Sequence, residues 1–557
     1  MGPGWLMSIA FLDPGNIEGF GFRTLVHPVL LVHSWVLLWS TALGWLLQIL
    51  AARVGVVTGK QLARICREEY PWYLRFITWL AMEIAIIGSD VQVLLGSSIA
   101  ISLLSHGVIP LWGGVLITGV DSFFLMLLDR IGVRKFEAVF AGLLFTMLVC
   151  FATVWGIAGP HIGEMALGLA IPQVPPHTVQ QAVGTVGAVI MPHNIFLHSA
   201  LVRSRKVNRA SKAAIDEANY FNAIESGLAL LLSLFINLFV VAVFAHNFYD
   251  PTGTRLCPTT DNPSFLCRNV GLLEAGSVLT AGLGAVAGRY VWSIGLLASG
   301  QSSVLTTTYA GQFVMSGFWN IKVPKWKRAL ITRMVALVPG IIVAITAQNE
   351  FDEADEFLNI LQSIALPFAL LPLLRVTMSW QLMGPYANSP AMNVFAWTAT
   401  VASVAINVYT FVEVIEGDPS QPKWLYAILA VVSLLYATLL FLLVRWEVGD
   451  HRGEWDPHAV EDADDEDAKD GALDVDTPQA SLLGESTDGA RTDSLDVELL
   501  TPNAQSPALN APTPAATRLW WEDPSLYLVP SSEYPGAGGK GVAPRAAMST
   551  LSDPALL

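Results

Sequence analysis

Asp13-Pro14-Gly15-Asn16 interrupts an apolar stretch near the start of the chain, and Met191-Pro192-His193-Asn194 interrupts another 178 residues later. A proline in a helix interior removes a backbone hydrogen bond and clashes with the preceding turn. In hydrocarbon, backbone loosened in this way is tolerated only where it is buried in protein or lines a cavity. The breaks carry a carboxylate, an amide and a thioether, which together read as a cation site.

Asp13 and Asn16 are three residues apart and would share one face of a helix. Pro14 and Gly15 between them favour unwinding, which frees carbonyls as further ligands. An ionisable residue inside a membrane span marks a functional site by default. A plainer role for Asp13 is to cap the half-helix, and the two roles can coexist. Met191 carries a different message. Hard oxygen ligands alone favour Ca²⁺ or Mg²⁺, whereas a thioether favours softer transition metals. A methionine in an apolar helix is usually packing material, but beside Pro192 and His193, opposite a second break, Met191 reads as a ligand. The Ala188 carbonyl, one turn earlier, is the matching backbone ligand.

Composition supports a membrane setting. The 557 residues are 53% hydrophobic and 14% charged, with a mean hydropathy of +0.51. Apolar runs of about 20 residues, enough to cross a bilayer, recur along the chain. Twelve spans are expected near residues 3–27 (broken), 30–57, 73–105, 110–129, 136–159, 180–202 (broken), 219–247, 287–316, 328–348, 355–376, 389–414 and 423–445. Lys and Arg concentrate in alternate loops, at Lys60, Arg64 and Arg67, at Arg130, Arg134 and Lys135, from Arg203 to Lys212, and from Lys322 to Arg328. The bias of basic residues toward the cytosolic side then places both termini in the cytosol. No basic n-region of a signal peptide precedes the first span. A longer cytosolic N-terminus is expected to precede the first break.

Each interrupted helix starts a group of five spans, the trace of an inverted repeat with its site near the bilayer midplane. Spans 11 and 12 read as peripheral additions. Cys257 and Cys267 fall in the 248–286 loop, on the outer or lumenal side by this topology, where a disulfide is favoured. Two free thiols are the alternative. Cys66 and Cys150 lie beside or inside helices and read as inert. The net charge of −15 belongs to the end of the chain: residues 451–557 hold 20 acidic and 6 basic residues, leaving 26 against 25 elsewhere. The expected organisation is therefore a transmembrane domain over 1–447 and an acidic, disordered cytosolic tail over 448–557. Leu482-Leu483 and Leu499-Leu500 in the tail are candidate signals for sorting adaptors.

The two signatures, with Ile86-Ile87-Gly88-Ser89-Asp90, Ala298-Ser299-Gly300-Gln301-Ser302-Ser303, Tyr309-Ala310-Gly311-Gln312 and Leu366-Pro367-Phe368-Ala369-Leu370, resemble the natural resistance-associated macrophage protein (NRAMP) family over roughly residues 2–445. The resemblance implies an all-α, LeuT-like fold of two inverted five-helix repeats plus two extra helices. It implies import of Mn²⁺ or Fe²⁺ with protons, through no enzyme chemistry and no permanently bound cofactor. Carried over by motif, Asp13, Asn16, Met191 and the Ala188 carbonyl would hold the metal, with Asn359 and Gln362 closing the site. Asp90, His193 and His198 would carry protons. Glu83, two turns before Asp90, extends that lane, and Arg328 and Arg333 are candidate basic partners. A structural hydrogen bond to a neighbouring helix is the other role open to His198. The chain departs from the family pattern in two places: Val93 stands where many relatives have a glutamate, and Gly19-Phe20 where they commonly have Ser-Asp. Val93 removes one relay carboxylate and puts the tightness of proton coupling in question.

The expected activity is secondary active import of a divalent transition metal into the cytosol, with divalent metal ions, protons and the lipid bilayer as partners and no nucleic acid. The plasma membrane or an endolysosomal or vacuolar membrane would supply the gradient. A membrane metal sensor that keeps the transporter fold is the alternative, although it would be free to lose Asp13 or Met191. An amino-acid or organic-cation transporter of the same architecture would want a Gly-rich gap for a carboxylate in place of those two residues.

Overall fold

The computed structural model describes residues 3–19, 29–128, 133–172, 179–205, 207–248, 256, 257, 259, 266, 270–320, 325–346, 351–416 and 423–449. Over these residues the chain is a helical bundle, and the one extended feature is an isolated antiparallel bridge between Leu256 and Leu266. In chain order the helices are α1 (Pro3–Ile9), α2 (Pro14–Gly19), α3 (Val29–Thr58), α4 (Leu62–Glu69), α5 (Trp72–Leu104), α6 (Leu111–Leu128), α7 (Val133–Ala158), α8 (Ile162–Ala170) and α9 (Val179–Val189). They continue as α10 (Pro192–Leu201), α11 (Lys212–Phe248), α12 (Leu272–Leu283), α13 (Trp292–Trp319), α14 (Lys325–Thr346), α15 (Phe351–Met378), α16 (Trp380–Met383), α17 (Pro390–Glu416) and α18 (Lys423–Arg445).

Each of the twelve expected segments is helical over nearly all its described residues. The first and sixth are split where the prolines predict, into α1/α2 and α9/α10. Among the described residues, eight stretches are long and apolar enough to cross a membrane, including Trp72–Leu104 and Lys212–Phe248. Leu111–Asp121, Leu272–Leu283 and Leu330–Thr346 are shorter apolar helices. The polar composition of α13 has a structural reason: Ser299, Ser302, Ser303, Thr306 and Thr307 are buried against the rest of the bundle. Four short helices, α4, α8, α12 and α16, lie where the sequence suggests only loops. None carries the 20-residue apolar run that makes a span legible.

Glycines set the closest helix approaches. A Cβ on Gly55 of α3 would lie 2.4 Å from the Ser199 carbonyl oxygen of α10, and one on Gly96 of α5 would lie 2.2 Å from Cβ of Pro14. A side chain cannot be fitted at Gly55 without moving backbone. Gly55→Val should therefore destabilise the protein by about 1–3 kcal/mol, the usual cost of overpacking. A lowered melting temperature in detergent, with Gly142→Val unaffected, checks this, since nothing stands within 4 Å of a Cβ at Gly142.

The last two long helices are peripheral, as expected, with only 22% and 11% of their apolar stretches buried, yet each makes a specific contact to α15. Pro367 inside α15 deprives the Ser363 carbonyl of its helical donor. Asn407 of α17 replaces that donor through Nδ2 at 2.9 Å, and its Oδ1 accepts from Ser363 Oγ at 2.9 Å. Tyr436 of α18 donates to the Ile364 carbonyl at 3.2 Å. Both helices thus brace α15 directly behind Gln362.

Cys257 is buried and disulfide-bonded, while Cys66 and Cys150 are free. Cys267 lies outside the described residues, as do Arg130, Lys206, Lys322 and the segment from residue 450 onward. Burial holds the Cys66 thiol well above its ordinary range, and neighbouring Glu69 pushes it the same way, so this thiol stays protonated and inert.

Candidate functional site

The two breaks meet inside the bundle. Helix α1 packs on α10, α2 packs on α9, and α5 and α15 close over both. One face of α5 registers them. Ser89 Oγ lies 3.9 Å from Met191 Sδ at the second break. Gln92, one turn later, lies against Gly15 at the first, where a Cβ would stand 2.7 Å from its amide carbon.

Freed backbone at the first break is capped from neighbouring helices. Ser233 and Asn237 of α11 donate to the carbonyls of Ser8 and Phe11 at 2.8 and 2.9 Å, and Ser299 of α13 donates to that of Leu12. The prolines themselves orphan two more carbonyls. Pro14 stands four residues after Ala10, and Pro192 four after Ala188, so neither carbonyl has a helical N–H to accept from. Unlike Ser363, neither accepts a replacement bond among the described residues. Ala10 is therefore a second backbone candidate, and the four-residue offset to Pro14 is the sequence signal that identifies it.

The side chains match this polarity. Asp13 is 1% exposed. Its Oδ1 accepts the Asn16 N–H at 2.9 Å, so the capping role is real. Its Oδ2 and both amide atoms of Asn16 are buried without a hydrogen-bond partner among the described residues. Buried polar atoms are normally paired, and exceptions call for a reason such as a bound ion. Met191 is buried at the N-cap of α10, and its thioether has one weak hydrogen-bond contact among the described residues, from Ser89. A carboxylate oxygen, an amide, two carbonyls and a thioether thus gather at the two breaks, a donor set suited to a transition-metal dication.

Asn359 and Gln362 of α15 both reach this region, in unequal states. Asn359 Nδ2 donates to the Gly15 carbonyl at 3.1 Å, and its Oδ1 accepts from Gln92 at 2.8 Å. Gln362 Nε2 donates to Gln92 Oε1 at 2.7 Å, while Gln362 Oε1 is buried and unpaired among the described residues. Gly187 of α9 permits the close approach of α15, since a Cβ there would lie 2.4 Å from the Asn359 carbonyl oxygen.

Asp90 faces away from this cluster toward α13 and α14. Arg333 Nη1 stands 3.3 Å from its Oδ1, and Thr307 donates to the same oxygen. Arg333 is further tied to the Val304 carbonyl at 3.2 Å and to Thr308 Oγ1 at 3.1 Å. Of the two candidate arginines, Arg333 is the partner; the side chain of Arg328 lies outside the described residues. Glu83 is not joined to Asp90 by a hydrogen bond: its Oε1 accepts the Trp79 indole N–H at 2.9 Å. Val93 is fully buried on α5 beside Gln92. His193 and His198 are buried on α10. Nδ1 of His193 and both ring nitrogens of His198 lack hydrogen-bond partners among the described residues, which thus supply no structural hydrogen bond to His198.

The sequence profile described as "Natural resistance-associated macrophage protein-like" matches residues 4–413. Metal transporter Nramp3 of Arabidopsis thaliana is 46% identical over 449 residues, covering 80% of this chain and 85% of the relative. Metal transporter Nramp2 of the same plant is 47% identical over 457 residues, covering 80% and 83%. Among solved structures, a mutant of the Eremococcus coleocola manganese transporter superposes with a TM-score of 0.66 at 28% identity, covering 80% of this chain and 93% of that one.

Proposed function

The chain belongs to the natural resistance-associated macrophage protein family, with its LeuT-like membrane fold, and from that premise we propose that it carries divalent transition metal ions, Mn²⁺ and Fe²⁺, across a membrane toward the cytosol together with protons. One observation carries the reading: two helix breaks meet one face of α5, the first leaving Asp13 Oδ2 and the Asn16 amide buried and unpaired among the described residues, the second carrying the Met191 thioether against Ser89. Metal-transporter relatives and a manganese-transporter structure support the substrate class.

In this mechanism the Asp13 carboxylate draws the cation to the breaks. Asn16, Met191, Gln362 and the Ala188 and Ala10 carbonyls replace its hydration shell. Rocking of the first half-bundle then alternates access. A proton leaves through Asp90, held by Thr307 and Arg333, and through His193 and His198 on α10. Residues 1–447 form the transporter, and the remainder is a cytosolic tail presenting its leucine pairs to adaptors. Both termini face the cytosol. The membrane is one with an acidic outer or lumenal side, such as the plasma membrane or an endolysosomal or vacuolar membrane.

Purified protein in sealed vesicles with an internal pH dye tests the whole reading. Mn²⁺ and Fe²⁺ should enter saturably and acidify the lumen, faster as the outer pH falls. Asp90→Asn should flatten that pH dependence. Folded protein giving no metal flux contradicts the transport reading, and an unchanged pH dependence in Asp90→Asn removes Asp90 from the proton route.

A further inference from the structure

We infer that Gln92 of α5 is a positioning residue that makes Gln362, and not Asn359, the metal-facing amide of α15. This inference rests on the metal-transport reading above. Gln92 is buried in the middle of a 33-residue span. Its amide binds three partners on α15. An amide can be turned either way unless its neighbours decide, and here two backbone carbonyls decide. A carbonyl only accepts, so the bond to the Gly15 carbonyl at 3.1 Å must come from Asn359 Nδ2. That leaves Asn359 Oδ1 to accept. The Asp355 carbonyl likewise demands a donor, and Gln92 Nε2 supplies it at 3.2 Å while also reaching Asn359 Oδ1 at 2.8 Å. Gln92 Oε1 is then an acceptor, and only the NH₂ of Gln362 can satisfy it, at 2.7 Å.

The bonds therefore run in one sense, from Gln362 through Gln92 and Asn359 to the first break. Their sense has an energetic consequence at each end. Asn359 has both amide atoms engaged and would have to break bonds to meet a cation. Gln362 has its donor engaged and its carbonyl oxygen unpaired, the atom a metal takes. Turning Gln362 over would set two carbonyl oxygens against each other in a buried site, where unmatched polar groups cost most. Gln92 thus holds a ligand in its binding orientation without touching the metal. Partners of this kind are worth about 10–100-fold in metal affinity. Gly15 completes the device: a Cβ there would lie 2.7 Å from the Gln92 amide carbon and nitrogen, so glycine gives the amide its room.

The test is a double-mutant cycle on purified protein, reading Mn²⁺ affinity by titration and KM by vesicle uptake. Gln92→Met and Gln92→Leu keep the helix and much of the volume while removing the amide. Each is expected to raise the Kd and KM for Mn²⁺ about tenfold or more with Vmax largely retained. Gln362→Ala should do the same, and combining it with Gln92→Met should add little, because both act through one oxygen. A purely structural Gln92 would lower folded yield and Vmax with KM unchanged, and would add fully to Gln362→Ala; either result overturns the inference. Wild-type protein that neither binds nor carries Mn²⁺ overturns the metal reading and this inference together. Wild-type binding with an unshifted Gln92→Met overturns the inference alone.

Discussion

Replacing Asp13 with alanine is expected to cut Mn²⁺ uptake by at least about 100-fold while leaving the protein folded. The two halves of that expectation come from its two oxygens. Oδ1 caps α2 through the Asn16 N–H, a contact worth about 1 kcal/mol. Stability typically totals about 5–15 kcal/mol, so losing the cap alone does not unfold the bundle. Oδ2 has no partner and is buried. A hundredfold loss of affinity needs only about 2.8 kcal/mol. Two unit charges 4 Å apart attract by about 4 kcal/mol at an effective dielectric of 20, and a dication strengthens the pull. Asp13→Asn should lose nearly as much while preserving shape, which separates charge from packing. A melting temperature near that of wild type, with uptake at background, is the expected pair of results. Uptake above a tenth of the wild-type rate in both variants would remove Asp13 from the site.

Met191→Leu is expected to leave Mn²⁺ transport measurable but to reduce discrimination against Ca²⁺ by about tenfold, equivalent to about 1.4 kcal/mol. Ca²⁺ is a hard cation satisfied by oxygens, so it gains nothing from a thioether. Leucine keeps nearly the volume of methionine, a change that usually costs less than about 1.5 kcal/mol. Met191→Ala should erode selectivity in the same direction, with added loss from the cavity it leaves. Competition of Ca²⁺ against Mn²⁺ uptake is the measurement. Unchanged selectivity in both variants would mean that Met191 only packs against Ser89.

The helix breaks were the most legible part of this chain, because proline chemistry is local. Pro14 and Pro192 need no tertiary information to predict split helices, and the same rule locates the orphaned carbonyls of Ala188 and Ala10. Burial of Asp13 and Asn16 was likewise readable from polar groups set in apolar sequence. The partners of those groups were less so, since they depend on helix register. Asp90 next to Arg333 could not be distinguished from Asp90 next to Arg328, five residues earlier. Glu83 lies on the α5 helix that carries Asp90, yet its side chain bonds to Trp79. Gln92 gave a faint signal, a lone amide one turn after Ser89 in an apolar span, and its role appears only when α15 is docked. The same holds for Asn407, whose purpose depends on a carbonyl vacated by Pro367 on another helix.

The central claim is that one divalent transition metal is held between the two breaks by oxygen ligands and the Met191 sulfur. X-ray absorption on the manganese-loaded protein addresses it directly, because sulfur and oxygen neighbours scatter differently. The account predicts a first shell of oxygen with one sulfur, with the sulfur lost in Met191→Leu and binding itself lost in Asp13→Ala. An all-oxygen shell that is the same in wild type and Met191→Leu, or full binding by Asp13→Ala, would contradict it.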